Sequence, residues 1–376
     1  MNLIKIFIIK LMGFISDFKD LNNFFNEEDY SNQVTFYSET ANDWQHQSEI
    51  IKELIKKTNF KILYICSDKS DYGLKFKEKN FKSFLVNNKY LLTWLFKNIK
   101  SKVMLMTLPD LNQYYLKRSK YLVHYIYIPH SLSSLHSIYR KGAFDYFDTL
   151  FCAGPHHVEE ARKIEEIYKL KKKFLIEFGY SKIDYLINNY KNFKYKNNDQ
   201  INFLIAPTWG DNCIINNGKI IDVMDHIKSL GHNMILRPHP ITVRKSSNIV
   251  NNIISRYKNY PNFIYQPSTD NNQTLFESDV LISDWSGVAF EFAFALKKPV
   301  LFVDTFRKIK NIDYDKIGME SFEFYARKMV GEFFDTNKKY NLKNINTVNN
   351  EQIAKSIFAL GKSSDVACKY ISNLMK

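Results

Sequence analysis

A chain of 376 residues is long for one hydrophobic core and suits two α/β domains. An apolar fraction of 45% with 15% aromatics excludes global disorder, and 53 Lys and Arg against 39 Asp and Glu leave a net charge of +14, which calls for an anionic partner. No zinc-type spacing or RNA-binding signature accompanies that charge, so nucleic acid is set aside in favour of phosphorylated substrates or an acidic membrane surface. Cys66, Cys152, Cys213 and Cys368 are dispersed without a CxxC pair and read as reduced thiols of a cytoplasmic protein.

In chain order, Met1 to Phe18 is apolar but broken by Lys5 and Lys10. It is too short and too charged to span a bilayer and lacks a small-residue cleavage site. A surface helix packed on its own domain is expected, with shallow docking on anionic lipid as the alternative. From Val34 the pattern alternates: strand Val34 to Ser38, helix Asn42 to Lys57, strand Phe60 to Cys66, then strands at Lys102 to Pro109, Leu122 to Ile128 and Thr149 to Gly154. A helix from His156 to about Leu170 and a strand from Lys173 to Phe178 complete a doubly wound first domain. The polar, aperiodic run Tyr190 to Asp199 is the best linker. A second alternating series begins at Ile201, includes a helix from Ile220 to Leu230 and a strand from Phe263 to Tyr265, and a closing helix is expected from about Asn350 to Met375. The division expected is 1–190, 191–349 and a C-terminal helix 350–376 that packs back on the first domain.

The chain is organised around Asp279 to Val303, which reads as strand, polar turn, helix and second strand, a βαβ unit in a parallel sheet. Its turn, Ser283-Asp-Trp-Ser-Gly287, falls at the carboxyl end of a strand, where open α/β sheets bind ligands and where a helix start favours an anion. Taken alone, such a turn reads as an N-cap. It is joined, however, by His232-Asn-Met-Ile-Leu-Arg-Pro-His-Pro240, a strand delivering Arg237 and His239 to a turn stiffened by two prolines.

Ala206-Pro-Thr-Trp209, Leu236-Arg-Pro-His-Pro240, Ser278-Asp-Val-Leu-Ile-Ser-Asp-Trp-Ser286 and Gly179-Tyr-Ser-Lys-Ile-Asp-Tyr-Leu186 together resemble the CDP-glycerol glycerophosphotransferases of teichoic-acid synthesis. The resemblance is strong over residues 174–304 and weak before residue 120. It implies a GT-B architecture, two Rossmann-like domains facing a cleft, with CDP-glycerol on the second domain and a lipid-linked glycan acceptor on the first. Ile128-Pro-His-Ser131 stands where the family has Trp-His-Gly, so His130 keeps its place, and Glu291 stands where the helix usually carries Asp.

The resemblance implies His130 as the base that takes the acceptor's proton and His239 as a donor to the leaving CMP. Arg237, Ser283, Asp284, Ser286, Gly287, Thr208 and Glu291 are the expected donor or phosphate contacts, and His136, Gly179 and Asp184 the acceptor-side candidates. No cofactor and no metal are expected. Asp313-Tyr-Asp315 has a metal-binding form but lies in a polar segment after the last strand. His124 and His156-His157 read as structural, while His46 sits at a strand-to-helix turn. Two other classes stay open: another GT-B enzyme, either a nucleotide-sugar glycosyltransferase or a UDP-N-acetylglucosamine 2-epimerase-like enzyme, and a non-catalytic polyanion-binding protein. Peripheral attachment to the inner face of the cell membrane follows from the charge and the apolar amino terminus.

Overall fold

The computed structural model describes residues 3–27, 29–194, 200–267 and 272–376, with backbone alone for 3–10 and 30. The chain forms two compact units. The first takes in Met1–His130, Arg140–Tyr185 and Ile357–Lys376, and the second takes in Ser131–Tyr139 and Leu186–Ser356.

The first unit carries seven strands: β1 Val34–Ser38, β2 Ile62–Cys66, β3 Phe81–Leu85, β4 Val103–Met106, β5 His124–Tyr127, β6 Thr149–Cys152 and β7 Phe174–Glu177. All are parallel, in the order β3-β2-β1-β4-β5-β6-β7. Central strands such as Ile62-Leu-Tyr-Ile-Cys66 and Val103-Met-Leu-Met106 are buried at every position. Helices cover both faces of such a sheet, so its inner strands read as unbroken apolar runs. The order reverses between β1 and β4, and Tyr37 of β1 and Tyr127 of β5 both stand opposite Met106 of β4. Ser38, Thr107 and Ile128 therefore leave the sheet side by side.

The second unit repeats the plan with β8 Asn202–Ile205, β9 Asn233–Leu236, β10 Phe263–Tyr265, β11 Val280–Ser283, β12 Val300–Phe302 and β13 Gly331–Phe333. Their order is β10-β9-β8-β11-β12-β13, again all parallel, with the switch point between β8 and β11. The helix Val288–Leu296 after β11 is apolar all round and buried from Ala289 onward, as a helix enclosed in a core must be. Two Rossmann-like α/β domains were expected, and two are observed.

Several elements differ from expectation. β3, β13 and the helix Lys89–Asn98 give no clear sequence signal: β3 and β13 are edge strands, only partly covered, so Phe81-Lys-Ser-Phe-Leu85 mixes apolar and polar residues. The N-terminal helix runs to Phe25, beyond Phe18. The expected single C-terminal helix is broken into Asn350–Ser356 and Ser363–Met375. Ala359 and Gly361 take positive φ between them, the first helix stays with the second unit, and the second helix joins the first unit. There Ala367, Cys368 and Ile371 share a core with Ile50, Ile51 and Leu54 of the helix Trp44–Lys57. Of the expected linker, residues 195–199 lie outside the described residues, while Tyr190 and Phe193 pack on the Phe276 ring.

Candidate active site

In open α/β sheets, ligands bind beyond the carboxyl ends of the strands where the order reverses. In the second unit that point gathers the ends of β8, β9 and β11, because Ile205 lies opposite both Leu236 and Ile282. Ala206 to Trp209, Arg237 to His239 and Ser283 to Gly287 thus emerge together. Asp284 organises them. It is fully buried, and its carboxylate accepts from the backbone N–H groups of Thr208 at 2.6 Å, Trp285 at 2.7 Å and Ile214 at 3.1 Å. Burial pushes its pKa up, and those three donors oppose the push.

His239 caps the short helix Pro240–Lys245, its Nδ1 accepting from the Ile241 N–H at 3.1 Å. An accepting Nδ1 bears no proton, so in the neutral ring Nε2 is the donor. Burial, then the charges of Lys308 and Lys310, bring its pKa down to about 4. At neutral pH His239 is therefore an uncharged hydrogen-bond donor. Arg237 is buried at the end of β9, where its backbone N–H pairs with Ile205. Ser286 and Gly287 are half-buried at the start of the helix Val288–Leu296, and Glu291 is buried within its first turn.

At the corresponding point of the first unit, His130 Nδ1 lies 2.8 Å from the Thr107 carbonyl and 3.0 Å from the Tyr127 hydroxyl. A carbonyl can only accept, so Nδ1 carries the proton and the neutral ring places its lone pair on Nε2. The two histidines thus hold opposite tautomers, one suited to take a proton and the other to donate a hydrogen bond. Beside His130, with ring centroids 6.4 Å apart, stands His46. It is buried, its Nδ1 lacks a hydrogen-bond partner, and burial followed by the charges of Lys182 and His130 holds its pKa well below the usual range.

Five sequence-predicted contacts turn out to be structural. The Ser283 hydroxyl donates to the Ala206 carbonyl at 2.8 Å, and Asp284 accepts from its three amides. His136 belongs to the second unit: its ring stacks on Tyr314 at 5.1 Å and its Nε2 donates to the Met319 carbonyl. Gly179 has φ +92°, and a Cβ there would meet the Phe358 carbonyl oxygen at 2.3 Å. Asp184 accepts from the Gly361 and Ser363 N–H groups and from the Ser363 hydroxyl, which docks the C-terminal segment.

Thr208 keeps a place at the site, its hydroxyl hydrogen-bonded to Lys308. Lys308 and Lys310 were missed by sequence reasoning, as was Arg327, whose guanidinium stacks 3.8 Å from the Trp285 ring centroid and whose pKa burial lowers to about 10. Lys308 and Lys310 follow the last motif in a polar stretch without periodicity, Arg327 lies in the helix Phe322–Val330, and no motif singles any of them out. Asp313 pairs with Lys316 at 2.6 Å, and no group of three or more metal-ligating side chains occurs among the described residues.

A family model described as CDP-Glycerol:Poly(glycerophosphate) glycerophosphotransferase matches residues 22–308. The teichoic acid poly(glycerol phosphate) polymerase of Bacillus spizizenii is 29% identical over 177 residues, which is 44% of this chain and 40% of that protein, so the match spans less than half of the relative. Among solved structures, the wall teichoic acid polymerase TagF with CDPG aligns over 100% of this chain and 98% of its own at 17% identity, with a TM-score of 0.57. The UDP-GlcNAc 2-epimerase of Methanocaldococcus jannaschii, in complex with UDP-GlcNAc and UDP, aligns over 91% of this chain and 99% of its own at 14% identity, with a TM-score of 0.56. These structural likenesses show the shared GT-B fold. With most of its length matched by the family model, and three of the four motif stretches gathered at the switch point of the second unit, the chain belongs to the CDP-glycerol:poly(glycerophosphate) glycerophosphotransferase family.

Proposed function

We propose that the protein transfers glycerol phosphate from CDP-glycerol to a hydroxyl of a lipid-linked surface glycan, releasing CMP. The observation that carries this reading is His239 at the strand ends of the second unit, where the Ile241 N–H on its Nδ1 leaves the neutral ring an N–H at Nε2, and the resemblance implies His130 as the base. The acceptor oxygen attacks the phosphorus that bears glycerol, and its proton passes to His130 Nε2. The bond from that phosphorus to the bridging oxygen breaks, and the negative charge growing on CMP is met by the His239 Nε2–H, the Ser286 hydroxyl and the amides at the start of the helix Val288–Leu296. Because His239 is neutral before the reaction, it donates without a proton having to be lost first. Arg237, Gly287, Thr208 and Glu291 complete the donor side in this reading.

Incubation with CDP-glycerol, other CDP-polyols and UDP-sugars, scoring which nucleotide is released, tests the proposal. CMP release that depends on CDP-glycerol and acceptor is expected, and His130→Ala should lower the rate by at least about a hundredfold, the ordinary contribution of a general base. Release of UDP with no CMP would assign the site to a nucleotide-sugar enzyme instead.

We also propose that the protein works at an anionic membrane surface. No helix among the described residues is long and apolar enough to cross a membrane. The N-terminal helix nevertheless exposes Leu11, Met12, Phe14, Ile15 and Phe18, while Asp17, Leu21 and Phe24 are buried on another face. An exposed apolar stripe on a protein with a charge of +14 suits the interface of acidic lipid.

A further inference from the structure

The half-buried Trp209, immediately beyond β8, is surrounded by cations. Lys310 Nζ lies 3.6 Å from its ring centroid, Lys308 Nζ 5.1 Å and Lys245 Nζ 6.0 Å, with the His239 ring at 6.1 Å. Cation–π attraction to one indole steadies such a cluster, but like charges brought together still repel. Asp284 and Glu323 attract Lys308 without pairing with it. Among the described residues neither Lys308 nor Lys310 forms an ion pair, and Asp284, the first carboxylate to act on Lys308, spends its oxygens on three backbone amides. Burial, with their mutual repulsion adding at Lys308, brings both ammoniums down to about 8.

The cluster is also held in place. Lys308 is hydrogen-bonded to the Thr208 hydroxyl, the backbone N–H groups of Lys310 and Asn311 donate to the Ser137 carbonyl at 2.9 and 3.1 Å, and the Asn311 amide reaches the His136 carbonyl. Partly dehydrated ammoniums that are fixed beside a hydrogen-bond donor, and that lack an ion-paired carboxylate, form a preorganised site for a polyvalent anion.

We propose that Lys308 and Lys310, mounted on Trp209 beside His239, bind the diphosphate of a nucleoside diphosphate donor and set its preference over the monophosphate. The proposal deepens the transferase reading and rests on it for the identity of the donor. Family matching ends at residue 308, so Lys310 is a feature of this chain outside the matched region. The donor's diphosphate offers one charged phosphate to each of the two ammoniums, whereas departing CMP offers a single phosphate to the pair.

Isothermal titration of the full chain with inorganic pyrophosphate, CDP, CMP and cytidine, at pH 8 in two buffers of different ionisation heat, tests it. Pyrophosphate and CDP are both expected to bind, and CDP, fully ionised at pH 8, to bind with net uptake of protons, because an anion raises two ammonium pKa values that lie near the working pH. Lys308→Gln and Lys310→Gln should each weaken CDP and pyrophosphate by about tenfold or more, leave cytidine unchanged and reduce the salt dependence of binding, while Lys310→Arg retains most of the affinity. The proposal is overturned if the double Gln variant, folded by its melting curve, binds pyrophosphate and CDP as the wild type does, if CDP binding takes up no protons, or if the wild type ignores pyrophosphate. Pyrophosphate carries neither base nor glycerol and reports on the lysines alone, whereas CMP release from CDP-glycerol reports on the transferase reading, so the two can fail separately.

Discussion

Asp284 and His239 follow β11 and β9, the strands on either side of β8, yet one gathers backbone amides and the other presents a hydrogen-bond donor. Replacing Asp284 with Ala strands three buried amide donors, each costing about 1–3 kcal/mol, so a loss of about 3 kcal/mol or more is expected in denaturant unfolding. A variant as stable as the wild type would remove the clamp from the account. His239 predicts a pH effect of definite sign. Its folded pKa, near 4, lies below the ordinary 6.5, so between those values the unfolded chain binds the extra proton. Stability should therefore be intact above pH 6.5 and fall as pH drops towards 4, by about 2 kcal/mol once partial exposure of the ring is allowed for. His239→Gln should flatten that part of the stability curve relative to wild type; an equally steep curve would place the titration elsewhere. His46, shifted the same way by burial, adds to the background slope in both proteins.

Whether an element is recognisable in the sequence depends on its coverage. Inner strands such as β1, β2, β4 and β11 are buried throughout and stand out as apolar runs, and the helix Val288–Leu296 has the bounds its sequence suggests. The C-terminal pair is different. Its periodicity reads as one helix, but a left-handed turn at Ala359 to Gly361 and the Asp184 clamp divide it and send Ser363–Met375 to the first unit. Gly179, in the segment just before Asp184, lies against that turn. Gly179→Ala would force an L side chain into a left-handed conformation and onto the Phe358 carbonyl, and a loss of about 2 kcal/mol or more is expected in thermal or denaturant melts. An unperturbed melt would show that the C-terminal segment is loosely held.

At the scale of the whole molecule, the N-terminal helix is tied to the first unit through Asp17, which accepts from the Asn87 and Asn88 N–H groups, and through Asp20, which accepts from Leu85, while Phe24 meets Phe84 edge-on at 5.5 Å. This docking leaves the stripe from Leu11 to Phe18 outward. Vesicles containing anionic lipid should carry the protein on flotation and neutral vesicles should not, with Leu11→Ser and Ile15→Ser weakening the attachment; flotation indifferent to both lipid charge and substitution would argue against a membrane role. Local order, by itself, determined the repeated strand–helix alternation, the two parallel sheets and the strand ends bearing Arg237, His239 and Ser286, because these depend on short apolar runs and on turn chemistry. What tertiary structure decided was the use of each side chain. Ser283, Asp284, Asp184 and His136 are polar residues within motif-like stretches, yet each is absorbed by backbone partners, some far away in sequence. Lys308 and Lys310 come from an unpatterned stretch and arrive at Trp209 because parallel sheets bring the ends of separate strands to one edge, a proximity that no local pattern encodes.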